Sequence, residues 1–214
     1  MVGTVLKKDL EKVLSTFPKL KFCKNKNLNF LKGEIDIFDS NGVYWDSFTI
    51  AIVIPKNYPN AVPGVIELSK NIERIDERHI SEHGECCLDI THELLYQARS
   101  GIKIIDFIKN SVYPYFANQL FFLSQGKYAN GEYAHHFNGV KQFYKEKLGL
   151  DDIPLIIKIL ELIIINKVPS RNSICPCGEK KIKYCHDSQI EFLKSVGKTQ
   201  IKSDLMEFRK ILSS

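Results

Sequence analysis

The sequence lacks any long run of apolar residues. A membrane-spanning helix needs about 20 consecutive apolar residues, and the most apolar stretch here, IPLIIKILELIII, is interrupted by Lys158 and Glu161. The first residues, MVGTVLKKDLEKVL, place charges where a signal peptide requires an unbroken apolar segment. These two absences predict a chain without a membrane span, and we expect it in the cytoplasm.

Glycine-rich phosphate-binding motifs are missing as well. The sequence contains neither the dinucleotide fingerprint G-x-G-x-x-G nor the P-loop pattern, which argues against oxidoreductases and kinases. Residues 171–214 hold nine Lys or Arg against five acidic residues, but no long cationic run and no interleaving of basic with aromatic residues. We therefore do not expect a nucleic-acid partner.

Periodicity predicts an α+β fold. Apolar residues at helical spacing over 5–17 predict a first helix, which Pro18 ends. Residues 28–68 alternate between apolar and polar, as antiparallel strands do, and Asn41-Gly42 between two of these runs predicts a hairpin turn. After residue 100 the spacing is helical again, with one helix bent at Pro114.

Two further helices and a domain boundary follow from the same patterns. Residues 133–148 and 152–167 carry apolar residues at helical spacing, the second with an N-cap in Asp151-Asp152. With 214 residues, the chain is longer than one typical domain. We expect a main domain over 1–150, in which helices pack on an antiparallel meander, and a helical extension over 151–214.

Four potential metal ligands lie close together in the extension. The segment RNSICPCGEKKIKYCH contains Cys175, Cys177, Cys185 and His186. Three thiolates and one imidazole can hold Zn²⁺ in a tetrahedron, and a disulfide is the weaker alternative in a reducing compartment. This segment, within 171–187, resembles the SEC-C motif, a small zinc module.

Two adjacent cysteines lie in a polar loop of the main domain. Cys86 and Cys87 stand in HISEHGECCLDI, among ionisable residues that could support a reactive thiolate. Two buried, inert thiols are the alternative interpretation. Because successive side chains of an extended segment point to opposite sides, only one of the two can face a cleft.

This loop and the strands before it resemble ubiquitin-conjugating enzymes over roughly residues 5–150. In that family, strands lead into Tyr-Pro-x-x-x-Pro, and a His-Pro-Asn turn precedes Gly-x-Ile-Cys-Leu-Asp. The Tyr-Pro-x-x-x-Pro motif is matched by Tyr58, Pro59, Pro63 and Val65. The motif around the cysteine is matched by Ile80, Gly84, Cys87, Leu88 and Asp89. The resemblance implies an N-terminal helix, a four-stranded antiparallel meander and C-terminal helices, with Cys87 at the thioester-forming position.

One departure from the family pattern points to a bacterial subgroup of similar proteins. His79 stands where the family has the Asn of its turn. A His there, GEYAHHFNGVKQFYKEKLG and the SEC-C-like tail are similar to the stand-alone conjugating-enzyme-like proteins of bacterial CBASS antiphage operons. That resemblance implies an acyl transferase that acts on the C-terminal tail of a cGAS-like cyclic-oligonucleotide synthase.

The resemblance also implies a division of roles within the site. Cys87 would be the nucleophile and His79 the oxyanion donor or a general acid or base, whereas a packing role for His79 stays open. Asp89 would be structural. The alternative function is a catalytically inactive adaptor with the same fold and zinc module, which binds a partner without using Cys87.

Overall fold

The computed structural model describes residues 3–25, 28–129 and 133–213, and it is α+β. An N-terminal helix, a four-stranded antiparallel sheet and C-terminal helices confirm that part of the expected fold. The strands are β1 (Leu20–Lys24), β2 (Asn29–Phe38), β3 (Tyr44–Ile54) and β4 (Gly64–Glu67). The helices are α1 (Thr4–Thr16), α2 (Thr91–Ser100), α3 (Ile104–Phe107), α4 (Tyr113–Gln125), α5 (His136–Glu146), α6 (Ile153–Ile164), α7 (Asp187–Val196) and α8 (Lys198–Ser213).

The chain forms two compact units. The first comprises Met1–Asp89 and Gln97–Glu132, and the second comprises Ile90–Tyr96 and Tyr133–Ser214. The second unit thus takes in α5 and the first half of α2 in addition to the extension. A functional boundary at residue 150 stays a prediction.

The sheet of the first unit is a simple meander. Its strands lie in the order β1-β2-β3-β4, with every neighbouring pair antiparallel. The inward positions of β3 are those that the alternation predicts, namely Phe48, Ile50, Ile52 and Ile54. Phe48 packs against Phe116 of α4, with ring centroids 4.6 Å apart. This contact places α4 against the sheet.

The hairpin between β2 and β3 turns where Asn41-Gly42 predicted it. The backbone N–H of Gly42 donates to the carbonyl of Asp39 at 3.0 Å, and Gly42 has a φ of 79°. The carboxylate of Asp39 accepts the N–H groups of Asn41 and Val43, each at 2.8 Å. The turn is therefore held by Asp39 as well as by the glycine.

The helix expected after residue 100 contains a π-helical turn. Residues 104–125 run through α3, a π turn over Ile108–Val112, and α4. Pro114 lies in the first turn of α4, where its missing N–H is tolerated. The π turn ends two residues before Pro114, and the bend predicted at Pro114 stays a prediction.

Several elements were not expected from the sequence. Strand β1 and helix α2 have short or weakly apolar sequences, and the buried side chains of α2 are His92 and Ala98. Helices α7 and α8 lie in the extension over 151–214, where periodicity indicates only the helix over 152–167. None of the helices in the described ranges is long and apolar enough to cross a membrane.

The second unit has its own apolar core. Helices α5 to α8 and residues 90–96 contribute side chains to it, and Cys175, which is 3% exposed, belongs to it. The fully buried members include Phe143, Tyr144, Leu160, Leu193 and Ile201. One predicted metal ligand is therefore part of the core that orders these helices.

Candidate active site and candidate metal centre

The segment that carries Cys87 is held on both sides by backbone hydrogen bonds. Glu85 forms an antiparallel bridge with Ile66 of β4, and the N–H of Cys86 donates to the carbonyl of Val65 at 2.9 Å. On the other side, the N–H of Cys87 donates to the carbonyl of His79 at 2.8 Å. The segment therefore extends the edge of the sheet and brings Cys87 beside the His79 turn.

The two adjacent cysteines differ in environment. The side chain of Cys87 is exposed, whereas that of Cys86 is only partly accessible. Burial, the largest cause, raises the pKa of Cys86 to about 12, and its thiol interacts with the hydroxyl of Tyr115. Cys87 is thus the thiol that a second protein could reach.

The pKa of Cys87 is raised rather than lowered. Desolvation by the surrounding protein is the larger cause, and the negative charge of Asp89 adds to it. A lowered pKa is the usual mark of an activated thiol, so the free structure holds Cys87 mainly as the neutral thiol. At neutral pH, Cys87 is therefore less ionised than an ordinary thiol would be.

His79 lies at the end of a short 3₁₀ turn, Asp76–Arg78, with a left-handed backbone of φ 49° and ψ 43°. Its N–H donates to the carbonyl of Asp76 at 2.8 Å, and its ring lies 5.7 Å from that of Tyr128. Among residues other than glycine, Asn, Asp and His enter this backbone region most readily. His79 therefore suits a turn in which the similar family has Asn.

Gly84 fixes the other end of the loop. It has a φ of 86°, and a Cβ atom there would lie 2.5 Å from the carbonyl oxygen of Glu67. The carbonyl of Gly84 accepts the N–H of Glu67 at 2.8 Å, and the buried carboxylate of Glu67 pairs with Arg74 at 2.5 Å. Any larger residue at position 84 would push the cysteine segment away from β4.

Sequence reasoning missed the residues of α4 that contact this loop. The hydroxyl of Tyr115 lies 3.1 Å from the carbonyl oxygen of His79, and Gln119 bonds to Arg78. Both side chains are nearly fully buried. The available sign was the polar pair Asn118-Gln119 in a mostly apolar segment, YPYFANQLFFL.

The tail segment brings all four predicted metal ligands together. The ligand atoms of Cys175, Cys177, Cys185 and His186 all lie within 4.8 Å of one another. The Sγ of Cys175 is 3.2 Å and that of Cys185 is 3.3 Å from Nδ1 of His186, and the sulfurs of Cys177 and Cys185 are 3.4 Å apart. This cluster could bind a metal ion.

Local backbone structure creates this cluster. The N–H of Cys175 donates to the carbonyl of Lys180 at 2.7 Å, and Gly178, with a φ of 88°, closes the turn between them. A 3₁₀ turn, Ile182–Tyr184, then delivers Cys185, and His186 immediately precedes α7. A tight hairpin and a helix start thus present ligands from opposite sides.

The chemistry of the cluster suits a divalent cation. Around zinc, with Zn–S about 2.3 Å and Zn–N about 2.0 Å, ligand atoms of a tetrahedron lie about 3.5–3.8 Å apart. Three pairs here are slightly closer, at 3.2, 3.3 and 3.4 Å, and all ligand atoms lie within 4.8 Å of one another. Burial and the neighbouring thiols of Cys177 and Cys175 raise the pKa of Cys185. A bound cation would offset the repulsion between neighbouring thiolates, because it stabilises several of them at once.

A buried polar cluster lies elsewhere in the second unit. Nε2 of His92 lies 2.7 Å from Oδ2 of Asp204, which also accepts the hydroxyl of Tyr144 at 2.8 Å. Gln200 donates to the other carboxylate oxygen at 2.8 Å. His92 is thus a buried partner of α8, and His83 is an exposed neighbour of Glu82.

Comparison of the chain with protein-family models, curated proteins and solved structures finds no match. The α+β architecture and the Cys/His cluster therefore stand on the structure itself, and the resemblance to ubiquitin-conjugating enzymes stays an expectation from the sequence motifs.

Proposed function

We propose that this chain is a cysteine transferase of the ubiquitin-conjugating type, which captures the C terminus of a partner protein as a thioester on Cys87. The observation that carries the proposal is the placement of Cys87. Its thiol is exposed at the edge of a four-stranded meander, and its backbone is bonded to the turn that carries His79. The neighbouring Cys86 is the more enclosed of the two thiols.

The reaction would proceed in two acyl transfers. The Cys87 thiolate attacks the carbonyl carbon of an activated partner C terminus, the new C–S bond forms, and the donor's leaving group departs with the electron pair. An acceptor nucleophile then attacks the thioester, and Cys87 leaves as thiolate. His79 would donate a hydrogen bond to the oxyanion in each step.

The proposed partner is a cGAS-like cyclic-oligonucleotide synthase, whose C-terminal tail would be the captured group in bacterial antiphage defence. This part rests on the resemblance to CBASS proteins, including the segment over residues 131–149. Gly131 and Glu132 of that segment lie outside the described residues. The exposed Cys87 is accessible enough for a flexible tail to approach.

We also propose that the Cys/His cluster holds structural Zn²⁺ in a SEC-C-like module. A set of three thiols and one imidazole favours zinc over harder cations, which prefer oxygen ligands. Cys175 belongs to the core of the second unit, so the ion would order that unit. The four ligands would leave no open position for substrate.

One observation favours a second candidate function, that of a catalytically inactive adaptor. Burial and Asp89 raise the pKa of Cys87, so at neutral pH the isolated protein holds little thiolate. An adaptor would need the exposed loop only as a binding surface. It would bind the partner whether or not a thiol stands at position 87.

Co-expression of the protein with the genes that flank its own separates the two functions. For the transferase, intact-mass spectrometry should show a covalent mass on the chain that hydroxylamine removes and that Cys87→Ala abolishes. Cys86→Val should keep the adduct and serves as the matched control. Co-purification of a partner with Cys87→Ala, together with no covalent mass on the native chain, would establish the adaptor instead.

A further inference from the structure

A buried arginine fastens the His79 turn to helix α4. Arg78 is 5% exposed and Gln119 is 1% exposed. Nε of Arg78 donates to Oε1 of Gln119 at 2.9 Å, and Nη2 of Arg78 lies 3.2 Å from the backbone oxygen of Gln119. In the other direction, Nε2 of Gln119 donates to the carbonyl of Arg78 at 2.9 Å. The two residues are therefore joined by three hydrogen bonds.

The surroundings of the guanidinium restrict it further. Its central carbon lies 4.3 Å from the ring centroid of Phe122, a cation–π geometry. The planar fork of an arginine can satisfy two acceptors while it stacks on a ring, whereas a lysine ammonium offers a single point charge. The site therefore fits arginine specifically.

These contacts act on the backbone that meets Cys87. The carbonyl of Arg78 accepts Nε2 of Gln119, and the Tyr115 hydroxyl lies 3.2 Å from the same oxygen. The Tyr115 hydroxyl also lies 3.1 Å from the carbonyl oxygen of His79, which accepts the N–H of Cys87. A series of hydrogen bonds and close polar contacts thus runs from the Arg78 side chain to the backbone of the cysteine, in which the single hydroxyl hydrogen of Tyr115 is shared between the two carbonyl oxygens.

We propose that Arg78 is a positioning residue, whose paired bonding with Gln119 sets the backbone of the His79 turn and thereby the position of Cys87. The inference rests on the proposed function only in taking Cys87 as the nucleophile. Burial of a charged guanidinium is costly, and an apolar side chain would fill the same space without that cost. The polar pair therefore contributes geometry that apolar packing does not.

The test removes both partners together. In Arg78→Met/Gln119→Leu, two buried polar groups are replaced by apolar groups of similar length, which is close to neutral for stability. The Arg78 carbonyl nevertheless loses its bond from Gln119. We would measure thermal unfolding, the transfer of a glycine-ended synthetic peptide thioester to Cys87, and the pH profile of iodoacetamide alkylation at Cys87.

The double variant should unfold near the wild-type temperature but transfer the peptide about 10²-fold more slowly, because small displacements of reacting groups have effects of that size. Its alkylation midpoint should move to lower pH, because a loosened turn admits water to the thiol. Arg78→Lys, which keeps the charge and one donor, should give intermediate values. A folded double variant with wild-type transfer and a wild-type alkylation profile would overturn the inference.

Two readouts keep this inference separate from the proposed function. Alkylation needs no partner and no activated donor, so it reports the position of Cys87 even if the wild type never accepts a peptide. Failure of wild-type transfer would count against the proposed function alone. If the double variant does not fold, Arg78→Lys decides the matter, because an unshifted alkylation midpoint in that variant contradicts a positioning role.

Discussion

The N–H of Cys87 donates a 2.8 Å hydrogen bond to the carbonyl of His79. This bond makes the backbone position of the cysteine depend on the His79 turn. The left-handed conformation of His79 directs the carbonyl toward the cysteine segment. Changes to the turn should therefore alter the backbone position of Cys87.

Replacement of His79 separates its side chain from its backbone conformation. His79→Gly keeps the left-handed conformation without strain but removes the imidazole, and we expect transfer to Cys87 to slow about 10²- to 10³-fold. His79→Asn should retain part of the activity, because the amide can also donate to an oxyanion. Single-turnover transfer from a peptide thioester measures both. Full activity in the folded glycine variant would instead support a packing role.

The raised pKa of Cys87 predicts a specific pH dependence. Because burial and Asp89 both disfavour the thiolate, alkylation of Cys87 should reach half its limiting rate above the pH that an ordinary thiol requires. Asp89→Asn removes one of the two causes, so the midpoint should fall and the rate at neutral pH should rise. Glu85→Gln, an exposed carboxylate on the same loop, is the control. Equal midpoints in the wild type and Asp89→Asn would contradict this assignment.

The sequence predicted the features of the site that depend on residues close together along the chain. Alternation in an extended segment predicts different environments for Cys86 and Cys87, and in the structure Cys87 is exposed and Cys86 partly buried. The close spacing of Cys175 and Cys177 places both in one cluster. The contacts of Arg78 with Gln119 join residues far apart in sequence. Local periodicity carries no information on such long-range polar pairs.

Metal removal should affect the second unit selectively. Cys175 lies in the core of that unit, so chelation should increase amide hydrogen exchange in α6, α7 and α8 and leave β2 and β3 protected. The purified, reduced protein should contain one zinc per chain. Cys23→Ser, which removes a thiol outside the cluster, should keep the metal. Unchanged exchange in α7 after removal of a stoichiometric metal would refute the structural role.

The buried carboxylate of Asp204 should be important for stability. It accepts hydrogen bonds from Tyr144 and Gln200 and contacts His92. Asp204→Asn should lower the free energy of unfolding by about 3 kcal/mol, as expected when one member of a buried pair is lost. Tyr144→Phe should cost about 1 kcal/mol. Urea unfolding followed by circular dichroism measures both, with the exposed Glu207→Gln as control, and equal stability of Asp204→Asn and the control would contradict this role.

The same cluster shows why the second unit was harder to predict than the sheet. Alternation along the sequence predicts the strands, as in Phe48 to Ile54 of β3. Helix α2 instead buries His92 through a polar contact with α8, and α8 carries many charged residues along its length. Their packing depends on partners that no local pattern specifies.

The most direct test of the central claim is thioester exchange on the purified protein. A synthetic peptide thioester with a C-terminal glycine supplies an activated acyl group, so no ATP or adenylating enzyme is needed. Intact-mass spectrometry should show one peptide added to the wild type and to Cys86→Val, removed by hydroxylamine, and none added to Cys87→Ala. Addition to Cys87→Ala but not to Cys86→Val, or no addition to the folded wild type, would contradict the assignment of Cys87 as the acyl-accepting nucleophile.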